Sequence, residues 1–284
     1  MASKRGQLRT VGGKTRKVEH EEAEPGAPFT LTVDIGGSGM KALVVDAHGH
    51  PVSERARVKT PRPAKPDQLL ASIARLLTTQ PPFDRISVGF PGVVRAGKIV
   101  TADNLHRTCI GWDLAEALHK ATGRPARVCN DAVMQGLGAV SGRGVELILT
   151  LGTGLGSALF VDGKLVPYLE VGHHTGGHQH SYAERLCNAE RERIGERRWR
   201  RRVASVVEEI GPAWECRAVY LGGGNARRLR LSDLPPGCVI VPNSAALIGG
   251  VALWPEGDGA RQIEQYPSVS RLQWMTVEPT AAAS

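Results

Sequence analysis

Short apolar runs that end in glycine-rich turns are the main pattern of this chain. Leu31–Val33 leads into Asp34 and then into Gly36, Gly37, Ser38 and Gly39, after which Lys41 opens a second apolar run to Val45. Apolar runs of this length, bounded by turn residues, predict a strand, a tight turn and a second strand. The stretch is not a Walker A loop, which needs a Gly-Lys-Ser/Thr ending and a following helix.

The same pattern returns about 116 residues later. Leu147–Leu151 runs into Gly152, Thr153, Gly154, Leu155 and Gly156, and a second apolar run follows to Val161. A third strand, Arg217–Leu221, ends in Gly222, Gly223 and Gly224. Glycine lets backbone N–H groups approach a polyanion and form an anion-binding nest, although an ordinary hairpin also favours glycine. Two related turns predict two similar lobes that face one cleft.

Between the turns the periodicity changes between that of strands and that of helices, which predicts an α/β layer. The predicted strands are Pro51–Lys59, Arg85–Phe90, Arg127–Asn130 and Val239–Val241. The predicted helices are Gln68–Leu77 (begun by Asp67 or a neighbour), Asp113–Thr122, Asp131–Val140, Tyr182–Ile210, one that begins at Ala226–Leu229, and Ser244–Trp254.

The predicted helix from Tyr182 to Ile210 is unusually rich in charge. Such a run is typical of a solvated face with ion pairs between residues four apart. Arginine outnumbers glutamate over Arg197–Arg202, so binding of a polyanion is a second interpretation.

Composition narrows the class of protein. The 284 residues carry a formal charge of +8, which suits an anionic ligand. No apolar run reaches the roughly 18 residues of a membrane span, and the basic N-terminus lacks the apolar stretch of a secretory signal. The five cysteines are scattered without a C-x-x-C motif, so we expect reduced thiols, no disulfide framework, no zinc cluster and a cytoplasmic protein.

We divide the chain into four segments. Residues 1–28 are polar and form a disordered tail, for which a nucleic-acid-binding arm is the less favoured reading. Residues 29–125 form a small α/β lobe, and 126–255 form a large α/β lobe whose last helix returns to the small one. Residues 256–284 form a second tail.

The ordered set of motifs resembles that of the ROK sugar kinases and, within that family, of the polyphosphate glucokinases. The resemblance covers most of the chain, from Leu31 to Trp254. It is carried by Asp34–Lys41, Gly89–Val93, Asn104–Leu105 with Trp112, Asn130–Ala132, Leu151–Ser157 and Glu170–His173.

This resemblance implies an α/β, two-lobed, actin/hexokinase-like ATPase (ribonuclease H-like) fold with a central cleft. It implies transfer of a phosphoryl group from polyphosphate, ATP or both to the 6-hydroxyl of glucose, with Mg²⁺ near Asp34. It also implies a homodimer without a nucleic-acid or membrane partner. The implied phosphate-binding residues are Gly36, Gly37, Ser38, Gly39, Lys41, Gly152, Thr153, Gly154 and Gly156, with Gly222, Gly223 and Gly224 on the adenosine side. The implied sugar-binding residues are Gly92, Asn104, Asn130, Glu170 and His173.

Asp131 matches the catalytic base of that family, and its position suits the chemistry. A primary hydroxyl is a poor nucleophile, so a carboxylate must accept its proton as the new bond forms. Asp131 follows a strand and begins a helix, where the helix dipole favours the ionised form. The competing interpretation is a plain N-cap, a common use of aspartate at such a position.

One departure from the family concerns zinc. Most ROK enzymes carry a cysteine-rich zinc motif after the Gly-His pair, whereas here the segment holds His174, His178 and His180 and no cysteine before Cys187. We therefore expect no structural zinc and expect these histidines to be exposed. Trp112 is interpreted as a core residue rather than a platform for the sugar. A non-catalytic sugar or polyanion sensor, and a kinase for mannose or fructose, remain as alternative functions.

Overall fold

The structure, a computed structural model, describes residues 28–167 and 169–254 together with 10–11 and 14–15. The tails expected over 1–28 and 256–284 therefore lie almost wholly outside the described residues. Within the first of them, Thr10–Val11 pairs antiparallel with Lys14–Thr15. None of the helices in the described ranges is both long enough and apolar enough to cross a membrane.

The first of two five-stranded sheets begins with the hairpin predicted around Gly36–Gly39. Two strands lie antiparallel on one side of the sheet and two lie parallel on the other, in the order β3-β2-β1-β4-β5. These strands are β1 (Thr30–Ile35), β2 (Gly39–Val45), β3 (Ala56–Lys59), β4 (Arg85–Phe90) and β5 (Ala126–Asn130). A short antiparallel pair, Val94–Arg95 with Lys98–Ile99, follows β4.

The second sheet repeats this topology, in the order β8-β7-β6-β9-β10. Its hairpin is also antiparallel and its last two strands are also parallel. The strands are β6 (Val145–Leu151), β7 (Leu155–Val161), β8 (Lys164–Val166), β9 (Ala218–Gly222) and β10 (Cys238–Ile240). The two glycine turns predict two similar halves, and two five-stranded sheets with the same strand order and directions confirm this prediction.

Helices cover the sheets and divide the apolar side chains among separate cores. The α-helices are α1 (Pro66–Leu77), α2 (Leu114–Thr122), α3 (Asp131–Leu137), α4 (Tyr182–Leu186), α5 (Asn188–Ile194), α6 (Glu196–Ala213) and α7 (Ser244–Gly249). The 3₁₀ turns are Arg107–Cys109, Val171–His173, Ala226–Arg228, Leu231–Asp233 and Gly250–Leu253. The largest apolar core packs on the first sheet and the next largest on the second sheet. Trp112 packs against the core of the first sheet, as expected.

The last helix joins the two halves. Helix α7 and the 3₁₀ turn Gly250–Leu253 pack against α3 and against the first sheet. Ser87 on β4 donates a hydrogen bond to the carbonyl of Gly250 at 2.6 Å. The N-cap of α3 is held by Asn130, the last residue of β5. The first sheet thus extends to Asn130, five residues past the boundary expected between 125 and 126.

Several predicted elements are wrong in extent. The charged helix over Tyr182–Ile210 is three helices, because the backbone is extended at Cys187 and has a φ of +82° at Gly195. Only Ala56–Lys59 of the strand over Pro51–Lys59 forms a ladder. The helix expected to begin at Ala226 is a single 3₁₀ turn that ends at Arg228.

Helices α3 and α7 are also shorter than predicted. The helix expected to reach Val140 ends at Leu137 with Gly138 as its C-cap, and a side chain at Gly138 would collide with the backbone of Ala245 on α7. The helix expected to run from Ser244 to Trp254 changes to a 3₁₀ turn after Gly249.

Candidate active site

The first glycine turn connects β1 to β2 and is fastened at its base. The N–H of Gly36 donates to the carbonyl of Gly39 at 3.0 Å, which closes the turn. The hydroxyl of Thr60, just past β3, donates to the carbonyl of Gly36 at 2.5 Å. Ser38 stands exposed at the tip. The turn is therefore a fixed loop with a polar, accessible end.

The second glycine turn connects β6 to β7 in the same way. The N–H of Gly152 donates to the carbonyl of Gly154 at 3.0 Å, and the carbonyl of Gly152 accepts from the N–H of Asn188 at 2.9 Å. The third turn lies beside it, because the N–H of Asn225 donates to the carbonyl of Leu151 at 2.9 Å. Gly222, Gly223 and Gly224 thus adjoin the second turn rather than the first.

The two hairpin turns come from different sheets and meet across the cleft. A Cβ added to Gly37 would lie 2.9 Å from Oγ1 of Thr153, so only a residue without a side chain permits this approach. A Cβ on Gly154 would lie 3.1 Å from Nδ2 of Asn104. The structure therefore brings the first turn, the second turn and Asn104 together.

Asp131 is the first residue of α3, lies beside Gly156 of the second turn and is reached by the charge of Asp34 at the end of β1. A Cβ on Gly156 would lie 3.3 Å from Oδ1 of Asp131. Asn130, not Asp131, is the N-cap of α3. Oδ1 of Asn130 accepts hydrogen bonds from the N–H groups of Ala132 at 2.8 Å and Val133 at 3.2 Å. Asp131 itself accepts one backbone hydrogen bond, from the N–H of Ala132 at 2.8 Å.

The surroundings of Asp131 favour its protonated form. Burial raises the pKa of the carboxyl to about 7, and the negative charges of Asp34 and Glu170 add to the rise, against the hydrogen bond from Ala132. A carboxylate with a pKa near neutrality can accept a proton from an alcohol at ordinary pH and release it again. Perturbed carboxyl groups in a cleft are typical of catalytic sites.

Asp34 lies at the end of β1 and is paired with Lys41 on β2. Nζ of Lys41 donates to Oδ2 of Asp34 at 2.7 Å, and both side chains are largely buried. The other oxygen of Asp34 has no hydrogen-bond donor among the described residues. Mg²⁺ is commonly held by one or two carboxylates, water and substrate phosphates, so this free oxygen beside the glycine turn fits the ion.

Two of the expected sugar-binding residues, Asn130 and Glu170, lie near Asp131. Nδ2 of Asn130 donates to the carbonyl of Gly92 at 3.2 Å, so its amide is engaged at both ends. Burial raises the pKa of Glu170, the charge of His173 lowers it, and that of Asp103 raises it again. Nε2 of His173 lies 3.7 Å from Oδ2 of Asp103. These side chains come from several elements and supply hydrogen-bond donors and acceptors that suit the hydroxyl groups of a sugar.

Sequence reasoning missed two side chains of this site. Asp103 directly precedes the Asn104–Leu105 motif, but nothing in the sequence indicated its contact with His173. Ser157 is buried on β7, accepts from the N–H of Val171 at 3.0 Å and donates to the carbonyl of Leu169 at 3.3 Å. These two bonds fix the backbone on both sides of Glu170, and only the fold reveals them.

The three histidines that follow His173 lie on the surface. His174, His178 and His180 are exposed, and His178 contacts Glu209 at 3.3 Å. In the part of the chain that the structure describes, no group of three or more His, Cys, Asp or Glu side chains has the arrangement of a metal site.

The sequence matches a protein-family model and several known proteins. The ROK family model matches residues 30–188. A polyphosphate glucokinase of Mycobacterium tuberculosis (strain CDC 1551 / Oshkosh) is 30% identical over 207 residues, which cover 69% of this chain and 77% of the relative. That of Mycobacterium leprae (strain TN) is 28% identical over 233 residues, which cover 76% of this chain and 72% of the relative.

Among solved structures, the inorganic polyphosphate/ATP-glucomannokinase of Arthrobacter sp. strain KM superposes with a TM-score of 0.69 at 30% identity. The superposition covers 79% of this chain and 97% of that one. The match to the family model spans more than half of the chain, and the relatives agree with it in fold. The chain therefore belongs to the ROK family and is a kinase of its sugar-kinase branch.

Proposed function

We propose that the protein phosphorylates the 6-hydroxyl of glucose, with polyphosphate, ATP or both as phosphoryl donor. The observation that carries the proposal is Asp131, a carboxyl group with a pKa of about 7 that lies beside the second of two facing glycine turns and is influenced by the charge of Asp34 at the first. The named activities of the Mycobacterium and Arthrobacter relatives support glucose and these donors.

Asp131 is proposed as the general base. Its oxygen accepts the proton of the sugar hydroxyl as that oxygen attacks the terminal phosphorus of the donor. The N-cap bonds to Asn130 free Asp131 from capping α3, so its carboxylate is available to the substrate. General bases of this kind contribute about 10²- to 10⁴-fold to the rate.

Glu170, His173, Asn104 and the amide of Asn130 are proposed to hold the sugar, with the carbonyl of Gly92 fixed behind them. Carboxylate, imidazole and amide groups match hydroxyls that both donate and accept hydrogen bonds. A site built in this way rejects analogues that lack a hydroxyl, because its own polar groups are then left unpaired.

The donor is proposed to lie across the two hairpin turns, Gly36–Gly39 and Gly152–Gly156, with the backbone N–H groups facing its phosphates. Ser38 belongs to the first turn, Lys41 follows that turn on β2, and Thr153 belongs to the second turn. Mg²⁺, when bound at Asp34, neutralises charge on the donor phosphates. The adenosine of an ATP donor would lie against Gly222–Gly224, beside the second turn.

A donor-by-acceptor matrix tests this proposal. Purified full-length protein is incubated with ATP or polyphosphate and with glucose, mannose or fructose, and the phosphorylated sugar is identified by mass spectrometry and ³¹P NMR. We expect glucose 6-phosphate with at least one donor. Sugar binding without turnover with every donor would favour the sensor function, and a preference for mannose or fructose would correct the substrate.

A further inference from the structure

The register of the first sheet places a row of charged residues on one face. Asp34 on β1 is opposite Lys41 on β2, and Lys41 is opposite Arg57 on β3. Residues that are directly opposite in neighbouring strands share a face, as do residues two apart in one strand. Lys59 therefore lies on the same face as Arg57, and it is opposite Gly39. The row leads from the proposed Mg²⁺ ligand to the edge of the sheet.

The guanidinium of Arg57 lies against the first phosphate turn. A Cβ added to Gly39 would lie 3.3 Å from both Nε and Nη2 of Arg57. Glycine at this position thus leaves room for the arginine side chain above the turn. Arg57 and Lys59 are both exposed, so their charged ends remain accessible to a ligand.

Within the described residues, no carboxylate neutralises these two cations. Lys41 is paired with Asp34, whereas Arg57 and Lys59 have no acidic partner among the described residues. The arginines of α5 and α6 on the other lobe differ in this respect, because Glu190 accepts hydrogen bonds from both Arg193 and Arg202. The bond from Arg193 lowers the pKa of Glu190 to about 2, which reflects this internal compensation.

We propose that Arg57 and Lys59 extend the donor site along the edge strand β3 and bind the distal phosphates of a linear polyphosphate. This inference rests on the proposed function, which lays the donor's reacting end across Gly36–Gly39. An ATP donor places its adenosine against Gly222–Gly224 beside the second turn, whereas a longer polymer also continues past the first turn along β3, where Arg57 and Lys59 lie. The two cations therefore select for donors with more than three phosphates.

Strand geometry supports a contact with several phosphates at once. Adjacent strands are about 4.8 Å apart, and residues two apart on one strand are separated by about 6.6 Å. Arg57 and Lys59 are separated along β3, and Lys41 lies one strand inward. Three cations at these intervals follow an extended polyanion better than they fit one compact phosphate group.

The test is an affinity ratio measured on the full chain without glucose, so that no phosphoryl transfer to a sugar takes place during the titration. Isothermal titration gives the Kd of long-chain inorganic polyphosphate and of tripolyphosphate for the wild type and for R57Q/K59Q. The matched control is R197Q/R201Q, which removes the same charge from exposed positions of α6 that have no ion pair among the described residues. R57K/K59R keeps the charge and tests for rescue, and circular dichroism checks the fold of each variant.

We expect R57Q/K59Q to reduce the preference for the long chain over tripolyphosphate about tenfold, which corresponds to about 1.4 kcal/mol. The slope of log Kd against log salt for the long chain should fall by roughly 1 for each cation removed. R197Q/R201Q should leave the ratio unchanged, and R57K/K59R should restore most of it. An unchanged ratio in R57Q/K59Q, or an equal loss in the control variant, would overturn the inference.

Turnover separates this inference from the proposed function. If the long chain binds in a manner that depends on Arg57 and Lys59 while no sugar is phosphorylated, the kinase proposal fails and the polyanion site stands. If glucose is phosphorylated from polyphosphate and R57Q/K59Q leaves the affinity ratio intact, the kinase stands and the extended donor site is wrong.

Discussion

Replacing Asp131 by asparagine should stabilise the protein at neutral and alkaline pH. The pKa of this carboxyl is raised from an ordinary 3.8 to about 7, chiefly by burial and by the charge of Asp34. Between these two values the native state binds more protons than the unfolded state. The free energy of unfolding therefore falls as the pH rises through that range.

The magnitude follows from the shift. A shift of about 3 pKa units at 1.36 kcal/mol per unit gives a penalty of ~4 kcal/mol for ionised Asp131 at pH 8. At pH 5 the native carboxyl is still protonated, and the same linkage gives a smaller penalty of ~2 kcal/mol. Asparagine cannot ionise, so D131N should gain ~2 kcal/mol more over the wild type at pH 8 than at pH 5.

Urea denaturation at pH 5, 6, 7 and 8 measures this difference. Tryptophan fluorescence follows both halves, because Trp112 packs against the first core and Trp199 is buried in the second. The control is D113N, which makes the same substitution at the N-cap of α2, where asparagine caps equally well. Parallel pH profiles for D131N and the wild type would refute the reasoning, because they would mean that Asp131 ionises as easily in the fold as in the unfolded chain.

Three further predictions concern neighbouring groups. N130A removes the N-cap of α3, so the free energy of unfolding in urea titrations should fall by about 1 kcal/mol. The variant should also lose kcat, which the loss of a purely structural cap elsewhere would not cause. Y220F removes the hydroxyl that donates to buried Glu146 at 2.7 Å, so we expect a loss of ~1.5 kcal/mol by thermal denaturation with kcat retained. E170Q removes a negative charge that raises the pKa of Asp131, so the acid limb of the pH–kcat profile should move to lower pH; an unmoved or upward-shifted limb would contradict the assignment of Asp131 as the base.

The hairpins could be predicted because their signal is local. Glycine-dense turns between apolar runs determine where two strands must meet, and their recurrence indicated two related sheets before any contact was known. The N-terminal position of Asp131 on α3 is local in the same sense, since a strand and a helix adjoin there.

The errors lie where distant residues decide. The charge content favours one long helix over Tyr182–Ile210. In the fold this helix is broken at Cys187 and Gly195, and Trp199 is buried and donates a hydrogen bond to the carbonyl of Leu186 at 2.9 Å. The cap on Asn130 rather than Asp131 depends on the dihedral angles at the end of β5. The position of Arg57 beside Gly39 depends on the strand register, which no spacing along the chain reveals.

The most direct test of the central claim is the rate at which D131N transfers phosphate to glucose. With the donor that the wild type uses, kcat for glucose 6-phosphate is measured for the wild type, D131N and D113N, alongside the Kd of the donor. We predict a 10²- to 10⁴-fold fall in kcat for D131N, with donor affinity unchanged and D113N close to the wild type. Turnover of D131N within about threefold of the wild type, a difference of only ~0.7 kcal/mol in the barrier, would contradict the assignment of Asp131 as the base.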